Sequence, residues 1–148
     1  FIVIENREVL QKLAELVQQE FAKMEITPGM YRSMASSITR SKSGGYVFHY
    51  NAPVLILTAN QADYSNNIAD CSCALENMMI MGNALDLGTC WINQLKWLNE
   101  NEVITEYLRR LGLEENEKVW AALAVGYPQN ELNRTPLPRT GNKVTKIL

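Results

Sequence analysis

The sequence predicts an α+β fold, an α/β sandwich in which a central mixed sheet is flanked by helices and the C-terminal arm runs extended. Three observations predict it. Short apolar runs at Phe1–Ile4, Pro53–Ala59 and Val119–Val125 have the length and composition of strands. Stretches with apolar residues at helical spacing separate them, and strands alternating with helices pack as a sheet covered by helices. From Tyr127 onward, Pro128, Pro136 and Pro138 stand among Asn, Arg and Gly and forbid a compact element.

After the first strand, Asn6 is a plausible helix N-cap, and Leu10, Leu13, Leu16, Val17 and Phe21 repeat at helical spacing, so one face of this helix is buried. Thr27-Pro28 is expected to start a second, shorter helical piece, because Pro suits the first helical position. Met30 to Lys42 is rich in Ser and basic residues and is broken by Gly44-Gly45, which reads as mobile surface structure. Tyr46 to Tyr50 alternates like a half-buried strand, and Pro53–Ala59 is apolar enough to be covered on both faces. The helix expected from about Asn66 to Asp86 carries Ile68, Leu75, Met78, Met79 and Leu85 on a wide apolar arc. Such a helix is central either in the fold or in a dimer. Asn99 is expected to cap the next helix, along which Val103, Ile104, Tyr107, Leu108 and Leu111 repeat before Gly112 closes it. Val144–Leu148 is apolar enough to pair as an edge strand.

Length and charge bound the function. A chain of 148 residues is one domain's worth of material, read as a single domain over 1–148. A net charge of −2 offers no electrostatic argument for nucleic acid or an anionic membrane surface. No apolar run approaches the roughly 18 residues of a membrane span. Cys71, Cys73 and Cys90 lack metal or redox spacing, and reduced thiols in a cytoplasmic protein are the simpler reading. No Gly-x-Gly-x-x-Gly run follows a strand, so no cradle for a tightly held nicotinamide cofactor is expected. The acidic residues Asp70, Glu76 and Asp86 show no arrangement for a metal. His49 is the only histidine, and a lone histidine in a half-buried strand is read as a packed or solvent-facing residue rather than a base.

The most informative stretch is Ala69 to Asn93, a long helix ending in a tight turn and followed at once by the short apolar strand Gly88-Thr-Cys-Trp-Ile-Asn93. This stretch resembles the central helix and flavin-facing strand of the FMN-dependent nitroreductase family. Tyr50-Asn-Ala-Pro-Val-Leu-Ile56 upstream, and Ala124-Val-Gly-Tyr-Pro128 and Pro138-Arg-Thr-Gly-Asn-Lys-Val144 downstream, extend the resemblance in the family's order. Asp86 departs from it, standing where the family usually has Gly. Nothing here matches the family's opening segment, which carries an Arg-rich phosphate-binding motif, so the chain is expected to be a nitroreductase-like domain lacking that portion.

The resemblance implies a cofactor and its ligands. A flavin needs a flat apolar slot, a hydrogen-bond donor at N5 and cations or amides at its phosphate. By resemblance, Trp91 and Ile92 lie against the ring, the backbone N–H of Asn93 faces N5, and Gln94 continues that contact. Arg139 is the match for the family's phosphate-binding residue, since its fork of donors suits phosphate, and Lys143 is the second choice. Pro53 is architectural, Asn51 is foremost a turn residue, and Tyr31 and Phe48 are candidates for a lid. No catalytic side chain is assigned, because hydride passes directly to and from N5.

The resemblance further implies FMN with NAD(P)H as a transient donor, in a ping-pong reduction of a nitroaromatic, a quinone or a similar conjugated small-molecule acceptor. It implies an intertwined homodimer with FMN at the interface. A flavin-dependent dehydrogenase or dehalogenase on the same fold, or a non-catalytic flavin-binding remnant, are the alternatives.

Overall fold

The computed structural model describes residues 1–130, 135–136, 138, 140–141 and 143–147. The elements run β1 (Ile2–Ile4), α1 (Arg7–Ala22), α2 (Arg32–Ser43), β2 (Val54–Gln61), α3 (Asn67–Ala84), β3 (Gly88–Ile92), α4 (Gln94–Trp97), α5 (Glu102–Arg110) and β4 (Glu117–Gly126). The four strands form one sheet in the order β1-β2-β4-β3. The α+β sandwich expected from sequence is therefore present. Its sheet differs in one respect from the mixed one expected: all three described ladders are antiparallel.

Strand alternation divides the sheet into two faces. Leu55 and Leu57 of β2 pair with Ala124 and Ala122 of β4, and Ile92 of β3 pairs with Ala122. These side chains face α1, α2 and α5 in one continuous core with Leu13, Val17, Phe21, Ile38 and Ile104, all of them without solvent exposure. On the other face, Ile56, Leu123 and Trp91 meet α3 through Leu75, Met78 and Met79. Between Thr58 and Ala59 the register shifts, and the Thr58 hydroxyl, fully buried, donates to the Ala121 carbonyl at 2.9 Å.

The helix boundaries follow from local chemistry. Asn6 Oδ1 accepts from the N–H groups of Glu8 and Val9 at 2.9 and 3.1 Å, satisfying two donors that α1 would otherwise leave unpaired. Gly112, at φ 106°, ends α5 in a conformation that favours glycine. The N-cap of α5 is Asn101 and not Asn99: Asn101 accepts from Ile104 N–H at 3.1 Å, and its amide donates to Glu20 of α1 at 2.8 Å. Asn99 instead bonds both backbone groups of Val119, at 2.8 and 3.0 Å, pinning the α4–α5 link to β4.

Three further expectations are corrected. Thr27–Gly29 forms a turn rather than a helix start, with Met30 N–H donating to Thr27 at 3.1 Å. The Ser-rich stretch after Met30 is the helix α2, whose Ser37, Ile38 and Ser41 are buried. It is built from small residues because it packs closely on α1. Tyr46–Tyr50 is no strand, because the chain turns at 48–51 through two consecutive left-handed residues, Tyr50 (φ 57°) and Asn51 (φ 58°). In the arm, residues 143–147 are exposed and form no strand.

Candidate functional site

The end of β3 is where the sequence places a site, and alternation decides what its side chains can do. Trp91 points toward α3 and its indole N–H donates to Asn93 Oδ1 at 3.0 Å. Ile92 points the opposite way into the main core and is 2% exposed. A ring laid against one face of β3 therefore meets at most one of these two side chains, and any contact at Ile92 is confined to its backbone.

Gln94 is buried, and its amide turns away from the strand. Nε2 donates to Tyr46 Oη at 2.8 Å and to Ser37 Oγ at 3.2 Å, while Oε1 accepts the backbone N–H of Asn93 at 3.1 Å. Tyr46 and Ser37 are themselves buried and 3.0 Å apart. The N–H assigned by resemblance to flavin N5 thus bonds within the chain, to the side chain of the next residue.

Tyr46 carries this network to a cavity of about 660 Å³ between α1 and the 45–53 segment. Leu10, Ala14 and Pro53 supply apolar wall, Arg7 supplies a cation, and His49 lines the inner side. A volume of roughly 300–1,000 Å³ is usual for a small-molecule site. His49 is 4% exposed, its ring nitrogens are sealed from solvent, and the backbone groups that interact with them are those of Leu10, Ala52 and His49 itself. Its ring stands edge-on to Phe48, with centroids 5.3 Å apart. Burial holds the imidazole below the usual histidine range, so it is neutral at pH 7 and offers one donor and one acceptor. The polar groups along this cavity are those of Gln11, Gln18 and Asn51 beside Arg7, and the His49 nitrogens, sealed behind the wall, are not among those a ligand reaches.

Asn51 and Pro53 also border a second, shallower cavity of about 350 Å³ over the Gly88 and Gly126 ends of β3 and β4, beside Cys90 and Tyr127. Gly126 is required at this end, since a Cβ there would lie 2.8 Å from Pro53 Cδ. Trp91, Ile92, Asn93 and Gln94 line neither cavity directly. Of the other predicted residues, Lys143 is exposed and Arg139 lies outside the described residues. Tyr31 is exposed and stacks edge-on to Trp97, whereas Phe48 is fully buried and unavailable as a lid. Among the described residues no group of His, Cys, Asp or Glu could hold a metal ion, and no helix is long and apolar enough to cross a membrane.

Sequence reasoning missed Ser37, Tyr46 and the cavity position of His49. The nearest signal was the Tyr46–Tyr50 alternation, which was read as a strand.

Comparison with known proteins adds the family. The model of the nitroreductase family matches residues 1–127. This chain belongs to that family. A nitroreductase of Bacteroides fragilis with bound FMN superposes with a TM-score of 0.80 at 28% identity, covering 98% of this chain and 74% of that one. A nitroreductase of Desulfitobacterium hafniense, also with bound FMN, gives 0.76 at 20% identity over 99% of this chain and 73% of that one, which shows the fold alone. An iodotyrosine deiodinase bound to FMN and 3-iodo-L-tyrosine shares the fold at 0.62 and 10% identity, over 99% of this chain and 75% of that one. A curated relative from Archaeoglobus fulgidus, named "Putative NADH dehydrogenase/NAD(P)H nitroreductase", is 25% identical over 131 residues. That match takes in 88% of this chain, which spans 62% of the relative's length.

Proposed function

We propose that this chain serves an FMN-dependent oxidoreductase, which takes electrons from NAD(P)H and passes them to a nitroaromatic, quinone or similar conjugated acceptor in a ping-pong cycle. The observation that carries this reading is the family match over residues 1–127, which takes in the β3 segment and the Trp91–Gln94 stretch that resembles the family's flavin-facing strand. The FMN-bound nitroreductase of Bacteroides fragilis, similar over nearly the whole chain, supports the choice of cofactor.

In this reading Trp91 and Ile92 border the ring, Asn93 presents its N–H toward N5, and Gln94 continues that contact. Arg139 takes the phosphate, with Lys143 as second cation. FMN, when bound, supplies the hydride acceptor and donor. The protein's work is to orient the ring, exclude water behind it and leave the outer ring face open to donor and acceptor in turn.

A homodimer completes the site. Ile80 and Met81 on α3 and Leu85 at its C-cap are 61%, 58% and 61% exposed, an apolar surface that a second copy would cover. The free thiols of Cys71, Cys73 and Cys90 agree with a cytoplasmic setting.

The deciding experiment is flavin content and turnover of the protein expressed from its natural start. About one FMN per subunit, bleached by NADH or NADPH and reoxidised by nitrofurazone or a quinone, is expected. FMN that is bound but reoxidised only by a halogenated or other acceptor would move the activity to another chemistry on this fold. A protein that stays colourless with added FMN would end the oxidoreductase reading.

A further inference from the structure

The groove between α1 and the 45–53 segment takes its character from two rows of one helix. Leu10 and Ala14 stand four residues apart and are buried, so they form an apolar floor along the inner row. Arg7, Gln11 and Glu15 are also spaced by four and form the outer, exposed row: a cation, an amide and a carboxylate in that order. Gln11 Nε2 donates to Glu15 Oε1 at 3.1 Å. The four ion pairs among the described residues lie elsewhere, so Arg7 and Glu15 are both uncommitted to a charge within the chain.

Length and sign limit what fits between them. α1 rises about 1.5 Å per residue, so the backbone positions of Arg7 and Glu15 stand about 12 Å apart. A single amino acid carries its ammonium and carboxylate on one carbon and cannot reach both ends. Each residue of extended chain adds about 3.3 Å, so two or three residues span the gap once both side chains reach inward. Glu5 also lines the groove, and one cation against two carboxylates leaves a formally negative wall that disfavours phosphates and other anions. A molecule with separated charges of both signs is not disfavoured. The floor takes apolar side chains, and the amides of Gln11, Gln18 and Asn51 each offer the donor and acceptor that a peptide unit needs.

We propose that this groove binds a short zwitterionic peptide, two or three residues long with apolar side chains, its carboxylate on Arg7 and its ammonium on Glu15. The site is separate from the flavin reading and does not depend on it.

The test is calorimetric titration of the full-length protein with Leu-Ala-Leu, with its N-acetyl and C-amide forms, and with leucine alone. The free tripeptide should bind with a Kd of about 1 mM or tighter. Either blocked form, and leucine, should bind about tenfold more weakly, the loss expected for one charged hydrogen bond. Arg7→Gln should weaken the free tripeptide about tenfold and cost the C-amide nothing further, and Glu15→Gln should stand in the same relation to the N-acetyl form. Both side chains are exposed, so neither substitution threatens folding. Saturating FMN should leave the affinity unchanged. No binding by the free tripeptide at about 10 mM, blocked forms that bind as tightly as the free one, or displacement by FMN would each overturn the proposal.

Discussion

The two faces of the sheet are built differently. The face under α1, α2 and α5 is closed by twenty buried apolar residues, including Leu13, Val17, Phe21 and Leu57 with no exposure. The face under α3 has three such residues, Leu75, Ala121 and Leu123, and beyond them α3 leaves Ile80, Met81 and Leu85 open. Both faces belong to the same strands, so the difference lies in the helices. α1 turns its apolar residues inward and, Glu20 apart, its charges outward. α3 is apolar on nearly every side, and one sheet cannot cover all of it. The closed face is a core complete within the chain, whereas the open face has the composition of half an interface.

The strongest way to break the closed face is to empty it. Phe21 is fully buried and meets Trp97 edge-on with ring centroids 6.4 Å apart. Phe21→Ala should cost about 3–5 kcal/mol, read from urea or thermal unfolding at fixed protein concentration. A loss below about 1 kcal/mol would mean that this face collapses around the gap and is less tightly packed than its burial implies.

On the open face, the expected effect is on association instead. Ile80→Asp places a charge on the exposed stripe of α3, where a monomer would tolerate it. If that stripe is covered by a second copy, sedimentation should show the variant's dimer weakened by at least tenfold, because an unpaired charge would be buried in an apolar contact. Cys73, exposed and one to two turns earlier on the same side of α3, gives an independent reading. Its alkylation should be slow in the wild-type protein and faster in Ile80→Asp. Unchanged association and unchanged labelling together would show that the stripe is bare in solution.

What the sequence disclosed follows the same division. Strands, the long helix and the stops at Asn6 and Gly112 were legible because they depend on local periodicity and backbone chemistry. α2 was not, because its small polar residues look like a surface loop until α1 is known to lie against Ser37 and Ile38. Asn99 and Asn101 are equally good caps in sequence, and only the approach of β4, 20 residues away, commits Asn99 to Val119. The site was legible only in part. The β3 segment was found by its resemblance, but the partners of Gln94 lie 57 and 48 residues away, where no local pattern reaches. Sequence left His49 as either packed or solvent-facing, and only the fold shows it buried beside a cavity.

That histidine gives the smallest and sharpest test of the closed face. Its folded-state pKa is held below 6.5 by burial. Above pH 6.5 it is neutral in folded and unfolded chains alike and adds no pH dependence. As pH falls below 6.5 the unfolded chain takes up a proton that the folded chain resists, so stability is lost down to the lowered folded value. One proton gives a slope of at most about 1.4 kcal/mol per pH unit. Glu5, Arg7 and Glu15 line the same cavity, but what holds the ring's pKa down is burial, opposed by the backbone groups of His49, Leu10 and Ala52. Urea midpoints of the wild-type protein should therefore fall as pH drops below 6.5 relative to His49→Leu, whose profile lacks this contribution. Parallel pH profiles with and without the histidine would mean that water reaches its nitrogens and that burial does not hold its pKa down.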